Sequence, residues 1–344
     1  MKKWLVWILL ALLAAALSCS SRQPPDEQRT LATLRQVDDH PLYVMTYYGD
    51  YGFAEFLKHG WRAPQRRLDA FGRGTRSAQA ALPQGDAVPA WACTCFAALN
   101  PQGTPWFGRN FDWELHPALL LFTDPPDGYA SVSMVDAAYL GLGSEPPSPA
   151  DQRKLLDAPY WPFDGVNECG VAMGLMAVPA AEASRDPAKV TIGSLHAVRL
   201  VLDQAKDVEQ ALMLLGQYNI DFGDGPPLHY LLADRGGASA VVEFVRSEMR
   251  VLRNRDAWQV ATNFLLSEVG AAAPDDLGAR YREANATLTR TAGRLSSEEA
   301  MALLGRVSQP ITRWSTLYDL RTGAVRVAMG RSYERVHAFE LGMR

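Results

Sequence analysis

The stretch from Val88 to Trp113, VPAWACTCFAALNPQGTPWFGRNFDW, constrains this chain more than any other. Thr94 to Leu99 is β-prone, Asn100-Pro101-Gln102-Gly103 is a turn signal, and Thr104 to Asn110 reads as a returning strand. With the four residues 100–103 as the loop, Leu99 faces Thr104 and Cys93 faces Asn110. Arg109 is then one step away and Asp112 lies just past the strand end. Local geometry alone thus draws a thiol, a guanidinium and a carboxylate together. Alternation on a regular strand puts Arg109 and Asp112 on opposite faces, so both serve one site only if the strand bends or bulges near Asn110.

The 344 residues are 48% hydrophobic and 21% charged, an ordinary globular composition long enough for a large core. A net charge of −4, without any block of lysine or arginine, excludes a nucleic-acid footprint. Met1-Lys2-Lys3 followed by an apolar run from Trp4 to Leu17 reads as a secretion signal, too short for a comfortable membrane span. It ends in Ala16-Leu17-Ser18-Cys19, which resembles a bacterial lipoprotein signal with Cys19 as the lipidated residue. The expected organisation is a signal peptide over 1–19, a tether and amino-terminal prosegment over 20–92, and a catalytic domain over 93–344. The expected location is the periplasm or, through a lipid anchor, the outer membrane. Cys93, Cys95 and Cys169 remain in the mature chain; three thiols cannot all pair, so at least one stays free.

Within the prosegment, the aromatic-rich run from Thr30 should pack against the rest of the protein. Pro83, Gly85 and Pro89 then mark an exposed loop of the kind that is readily nicked. Further strands are expected in YASVSMVDAAYLGLG and GVAMGLMAVP, three more in HYLLADRGGASAVVEFVRSEMRVLRN, one over 257–263, and a closing hairpin in TRWSTLYDLRTGAVRVAMG. Helical spacing appears over 194–204, 208–218, 280–294 and 297–307, the last opening with a capping signal. Strands, helices and strands again predict an α+β fold, with sheets sandwiched between helices.

Nucleophilic cysteines usually borrow a histidine as base. The six histidines here, His40, His59, His116, His196, His229 and His337, show no recognisable active-site context, and His229 reads as a structural imidazole inside a strand. An N-terminal α-amine, with a pKa of about 7.7–8.0, is the other available base. It requires a cut between Ala92 and Cys93.

Cys93-Thr94, a strand, the turn at Gly103 and Gly108-Arg109-Asn110-Phe111-Asp112-Trp113 resemble the choloylglycine-hydrolase group of linear-amide hydrolases. That group includes penicillin V acylases and bile-salt hydrolases, with acid-ceramidase-like and N-acylethanolamine-hydrolysing acid amidases as relatives. The resemblance continues through DGVNECGVAMGL (Asp164 to Leu175), HYLLADRGGASAVVEF, VATNF around Asn263 and ARYREA around Arg280. It implies a four-layer αββα N-terminal-nucleophile fold, with Cys93 as nucleophile and its own freed amine as base. Asp112 would hold that amine, Arg109 would favour the thiolate, Asn263 would donate to the oxyanion, and Arg280 would steady the cluster. The substrate would be a small N-acyl amide, cleaved through an acyl-cysteine after autoproteolysis, with no metal or cofactor. Met176 stands where bile-salt hydrolases usually carry asparagine, which makes bile salts a less favoured substrate and leaves part of the oxyanion hole to a backbone amide.

Two other classes remain open on the residues alone. One is a thiol protease or acyltransferase that uses a histidine; the other is a non-catalytic envelope lipoprotein on the same scaffold. Trp106, Trp113, Tyr160 and Trp161 fit an acyl pocket or the core equally. Cys95 and Cys169 read as structural thiols, with a Cys95–Cys169 pair the alternative.

Overall fold

Two β-sheets stacked face to face, each backed by helices, account for the periodicities of the sequence. The computed structural model describes residues 25–60, 92–114, 116–143, 146–223, 225–269 and 278–344; the leader over 1–19, Cys19 and the loop at 81–89 lie outside the described residues. One sheet has nine strands, in the order β1 (Arg35–Asp38), β2 (Leu42–Thr46), β5 (Ala118–Thr123), β6 (Ser131–Asp136), β7 (Pro162–Asn167), β8 (Val171–Ala177), β11 (Leu228–Asp234), β12 (Ser239–Val245) and β13 (Glu248–Arg253). The other has six: β14 (Gln259–Ala261), β3 (Ala92–Leu99), β4 (Pro105–Asp112), β15 (Thr312–Asp319), β16 (Ala324–Met329) and β17 (Val336–Glu340). A short parallel pair, β9 (Thr191–Gly193) and β10 (Asn219–Asp221), stands apart.

Helices α1 (Pro25–Ala32) and α2 (Phe53–His59) belong to the segment ahead of Cys93, and α3 (Pro149–Lys154) precedes β7. Helices α4 (Ser194–Gln204) and α5 (Val208–Leu215) back the nine-stranded sheet. After the short α6 (Leu266–Val269), α7 (Ala279–Arg290) and α8 (Ser297–Arg306) back the six-stranded one. This is the expected αββα sandwich. Helix α7 stops four residues before the sequence reading, because Ala292 and Gly293 take left-handed backbone, with φ of 49° and 74°. The expected capping box of α8 forms between Ser296 and Glu299.

The signature hairpin folds with a one-residue correction. Asn100 and Thr104 close the turn on each other, Gly103 donates back to Asn100 O, and Gly103 sits at φ 85°. That is a three-residue loop, 101–103, with glycine at the left-handed position. Cys93 therefore pairs with Phe111 rather than Asn110, and Arg109 lies directly opposite Cys95. Gly108 is required by this packing, since a β-carbon there would meet the Phe96 ring at 2.2 Å.

Residues 25–60, the described part of the segment ahead of Cys93, are woven into the nine-stranded sheet. Strand β2 pairs in parallel with β5 from Leu42–Ala118 to Thr46–Phe122. Phe53 and Phe56 of α2 stack against each other and pack on Tyr160. The Tyr51 hydroxyl lies 2.7 and 2.8 Å from the two carboxylate oxygens of buried Asp203. The aromatic run is thus packed, as its composition requires. Strands β5 and β7 escaped the sequence reading: ALLLFT is apolar without alternation, and PFDGVN carries the proline and glycine of a turn.

Replacing Gly108 with alanine should destabilise the protein by about 1–3 kcal/mol through overpacking against the buried Phe96 ring. Thermal unfolding should show this as a lowered midpoint, partly recovered when Phe96 is also changed to leucine.

Candidate active site

Cys93 is gripped at each of its backbone and side-chain polar atoms. Strand β14 pairs with β3 only as far as Ala261–Cys95. Beyond it the Asn263 side chain takes over the ladder, its Oδ1 accepting from Cys93 N at 2.7 Å. Arg280, on the first turn of α7, donates through Nη1 to the Cys93 carbonyl oxygen and to Thr94 Oγ1. Its Nη2 donates to Asn263 Oδ1 at 2.7 Å. The Cys93 sulfur faces Arg109 Nη2 at 3.8 Å.

Arg109 is fully buried between the sheets and its donors are spread over both. Nε donates to Asp164 Oδ2 at 2.8 Å, and Nη1 donates to the Leu175 carbonyl and to Cys95 Sγ. Asp164 also accepts from Trp314 Nε1 at 3.0 Å and from the Tyr318 hydroxyl at 2.5 Å. Burial opposes the guanidinium charge, but the Cys93 and Cys95 thiols and Asp164 outweigh it and hold the proton more firmly than usual. Gly174 makes room for this layer, since a β-carbon would come within 3.0 Å of Cys95 Sγ and 3.3 Å of Arg109 Cδ.

Two irregularities aim these groups. Residue Phe163 is extra in the β6–β7 pairing, where Met134 pairs Asp164 and Val135 pairs Pro162. The β7–β8 ladder ends at Asp164–Gly174, just beside it. The carbonyls of Leu175 and Ala177 are left to take Arg109 Nη1 and Asn263 Nδ2, the latter at 2.7 Å. An amide nitrogen carries a second N–H, which this bond does not use. The other bulge lies on β15, where Arg313 is skipped between the Thr312–Asp112 and Trp314–Phe111 pairs. The bend expected in β4 near Asn110 is therefore carried by its neighbour, and β4 pairs regularly with β3.

Asp112 faces away from Arg109, as parity requires, and joins the cluster from the strand end. Its Oδ1 accepts from the Thr312 hydroxyl at 2.5 Å, while Oδ2 is buried without a hydrogen bond, 3.8 Å from Arg280 Nη1. Burial raises its pKa to about 6 against the pull of Thr312, Arg280 and Arg109. Burial also pushes the Cys93 thiol up; Arg109 and the Asp112 backbone N–H oppose this, and the Asp112 carboxylate adds to it.

Arg109, Asp112, Asn263 and Arg280, the four partners read from the sequence, thus gather with Cys93. Asp164 and Thr312 were missed as partners, although a carboxylate opening DGVNE inside a strand signals a buried cation. The three described cysteines are free, so no Cys95–Cys169 bridge forms. A cavity of about 740 Å³ opens at Cys93, walled on one side by Phe111, Trp113, Tyr139, Trp161 and Phe163. Lys58 and His59 of α2 also line it. Trp106 packs instead in the core beneath α8, and Tyr160 packs under α2.

A four-layer sandwich with a buried cysteine, arginine, aspartate and asparagine gathered at the head of an inner strand has the architecture of the N-terminal-nucleophile hydrolases. The chain belongs to the choloylglycine hydrolase family of linear amide C–N hydrolases, whose family model matches residues 93–264. A conjugated bile acid hydrolase from Clostridium perfringens superposes with a TM-score of 0.54 at 16% identity, covering 72% of this chain and 92% of that one. Penicillin V acylase from Agrobacterium tumefaciens gives a TM-score of 0.52 at 17% identity, with 72% and 86% covered. At these identities the structures speak for the fold. No curated protein matches by sequence.

Asp112 sets a pH dependence with a definite sign. Its folded pKa of about 6 stands above the ordinary 3.8, so its contribution to stability is complete below about pH 4 and is lost as pH rises through 6. In uncut Cys93→Ala protein, adding Asp112→Asn should give a stability gain that grows between pH 4 and 6 and is constant above. Denaturant titrations across that range measure it.

Proposed function

We propose that this chain is the precursor of a cysteine amidase, cut between Ala92 and Cys93 and then acting on an N-acyl amide. The observation that carries the reading is the grip on Cys93: Asn263 on its nitrogen, Arg280 on its carbonyl and Arg109 beside its sulfur. Asp112 Oδ2, buried without a hydrogen bond and only 3.8 Å from Arg280 Nη1, supports it, because a freed α-ammonium could supply the hydrogen bond this oxygen lacks. Arg109, Asp112 and Arg280 are the charged groups that weigh most on the Cys93 thiol, with no histidine ahead of them, which favours this reading over the histidine-assisted alternative.

In the cut chain the α-amine takes the thiol proton and Sγ attacks the amide carbonyl. The tetrahedral oxyanion is met by the second N–H of Asn263 Nδ2, a donor typically worth ~2.7–4 kcal/mol. The C–N bond then breaks, the leaving amine takes the proton from the α-ammonium, and the acyl group stays on sulfur. Water, deprotonated by the α-amine, releases the carboxylic acid and regenerates the thiol. Arg109 stabilises the thiolate at each stage. The aromatic wall of the cavity suits an apolar or aromatic acyl group. Export with Cys19 as a lipid anchor completes the reading.

Intact mass and N-terminal sequencing of the purified protein, beside Cys93→Ala, test it. The wild type should yield a fragment beginning Cys93-Thr94-Cys95 and hydrolyse amides, while the variant stays whole and inactive. An uncut wild type that still turns over amides would rule out the amine as base.

A further inference from the structure

His229 and Glu243 come from the nine-stranded sheet yet hold the loop that carries Asn263 on the other. Both side chains are fully buried. His229 Nε2 lies 2.6 Å from the Thr262 carbonyl oxygen, and since that oxygen can only accept, Nε2 is the donor. The other ring nitrogen, Nδ1, faces Glu243 Oε1 at 3.4 Å. Glu243 reaches past the histidine to the start of α6, where Oε1 accepts from Leu266 N at 2.6 Å and Oε2 from Ser267 N at 3.0 Å. The two side chains therefore fix both ends of the stretch Thr262–Ser267.

That stretch is where β14 leaves β3. Had the ladder continued past Ala261–Cys95, the residue 263 backbone would lie beside Cys93 and its side chain would stand on one face of the sheet, out of the ladder. Instead the Asn263 side chain fills the place of the missing ladder bond, with its oxygen on Cys93 N and its nitrogen on Ala177 O. We infer that His229 and Glu243 are positioning residues: by drawing Thr262 and the start of α6 toward the nine-stranded sheet they peel the chain off β3, so that the Asn263 side chain meets Cys93. The consequence for turnover rests on the amidase reading; the placement of Asn263 does not. Neither residue touches the thiol, so they act through Asn263 alone.

The test separates the two. In full-length Cys93→Ala protein, which keeps the residue 93 N–H, amide hydrogen exchange at residue 93 reports whether Asn263 Oδ1 is in place. His229→Leu and Glu243→Ala should speed exchange at residues 93, 266 and 267 at least tenfold, with the interior of β3 unchanged. His229→Gln, whose Nε2 stands in for the imidazole Nε2, should recover protection at 93; His229→Asn, too short to reach Thr262, should not. Unchanged exchange at 93 despite a loosened loop, or equal acceleration throughout β3, would overturn the proposal. In the otherwise native chain the same two variants should lower kcat at least tenfold with KM within twofold, and add no further loss on top of Asn263→Ala. Unaltered kcat would also overturn it, whereas a wild type that is neither cut nor active defeats the amidase reading and leaves the exchange result standing.

Discussion

A guanidinium with no exposure to water sits between the two sheets, and the arrangement of the site follows from how it is satisfied. Taking such a charge out of water is costly unless every donor finds a partner. Arg109 meets that demand with Asp164 and Leu175 from one sheet and Cys95 from its own, leaving one nitrogen aimed at Cys93. Asp164 is met in turn by Trp314 and Tyr318 of the opposite sheet. The ion pair is therefore a rivet through the sandwich as well as an electrostatic source for the thiol. The smallest residue, Gly174, lies where this layer is thickest.

Around that rivet, the polar groups reach Cys93 because regular pairing stops in the right places. Strand β7 gains a residue at Phe163, β15 gains one at Arg313, and β14 leaves the ladder after Ala261. Each break releases backbone or side-chain groups that continuous sheet would have occupied. The chemistry is concentrated where three ladders are broken.

Most of the architecture was legible in the sequence, since alternation, helical spacing and turn residues agreed with one another over long stretches. Helix α4 and the three strands from Leu228 to Arg253 lie where the pattern put them. Cys93 and the four residues around it were legible through a hairpin and a run of family motifs. What escaped shares one cause: it depends on contacts between distant elements. A strand such as ALLLFT, buried on both faces, carries no alternation to read. Asp164 and Thr312 gain meaning only when a residue far along the chain arrives beside them. His229 was readable as a structural imidazole, but its partner carbonyl, and hence what it supports, was not.

The turn at 101–103 links fold to site in a way that bears on how such a chain can change. Exposed hairpin turns are ordinarily where insertions and deletions are absorbed without harm. Here the turn sets which face of β4 carries Arg109, because a shift of one residue in pairing sends every side chain to the other side of the strand. At about 3.3 Å per residue the turn lies roughly 25 Å from Cys93, well outside the cavity. A change of length there would leave every site residue present in the gene while turning the guanidinium away from the thiol. In this hairpin, loop length is as much a determinant of the chemistry as the identity of the cysteine.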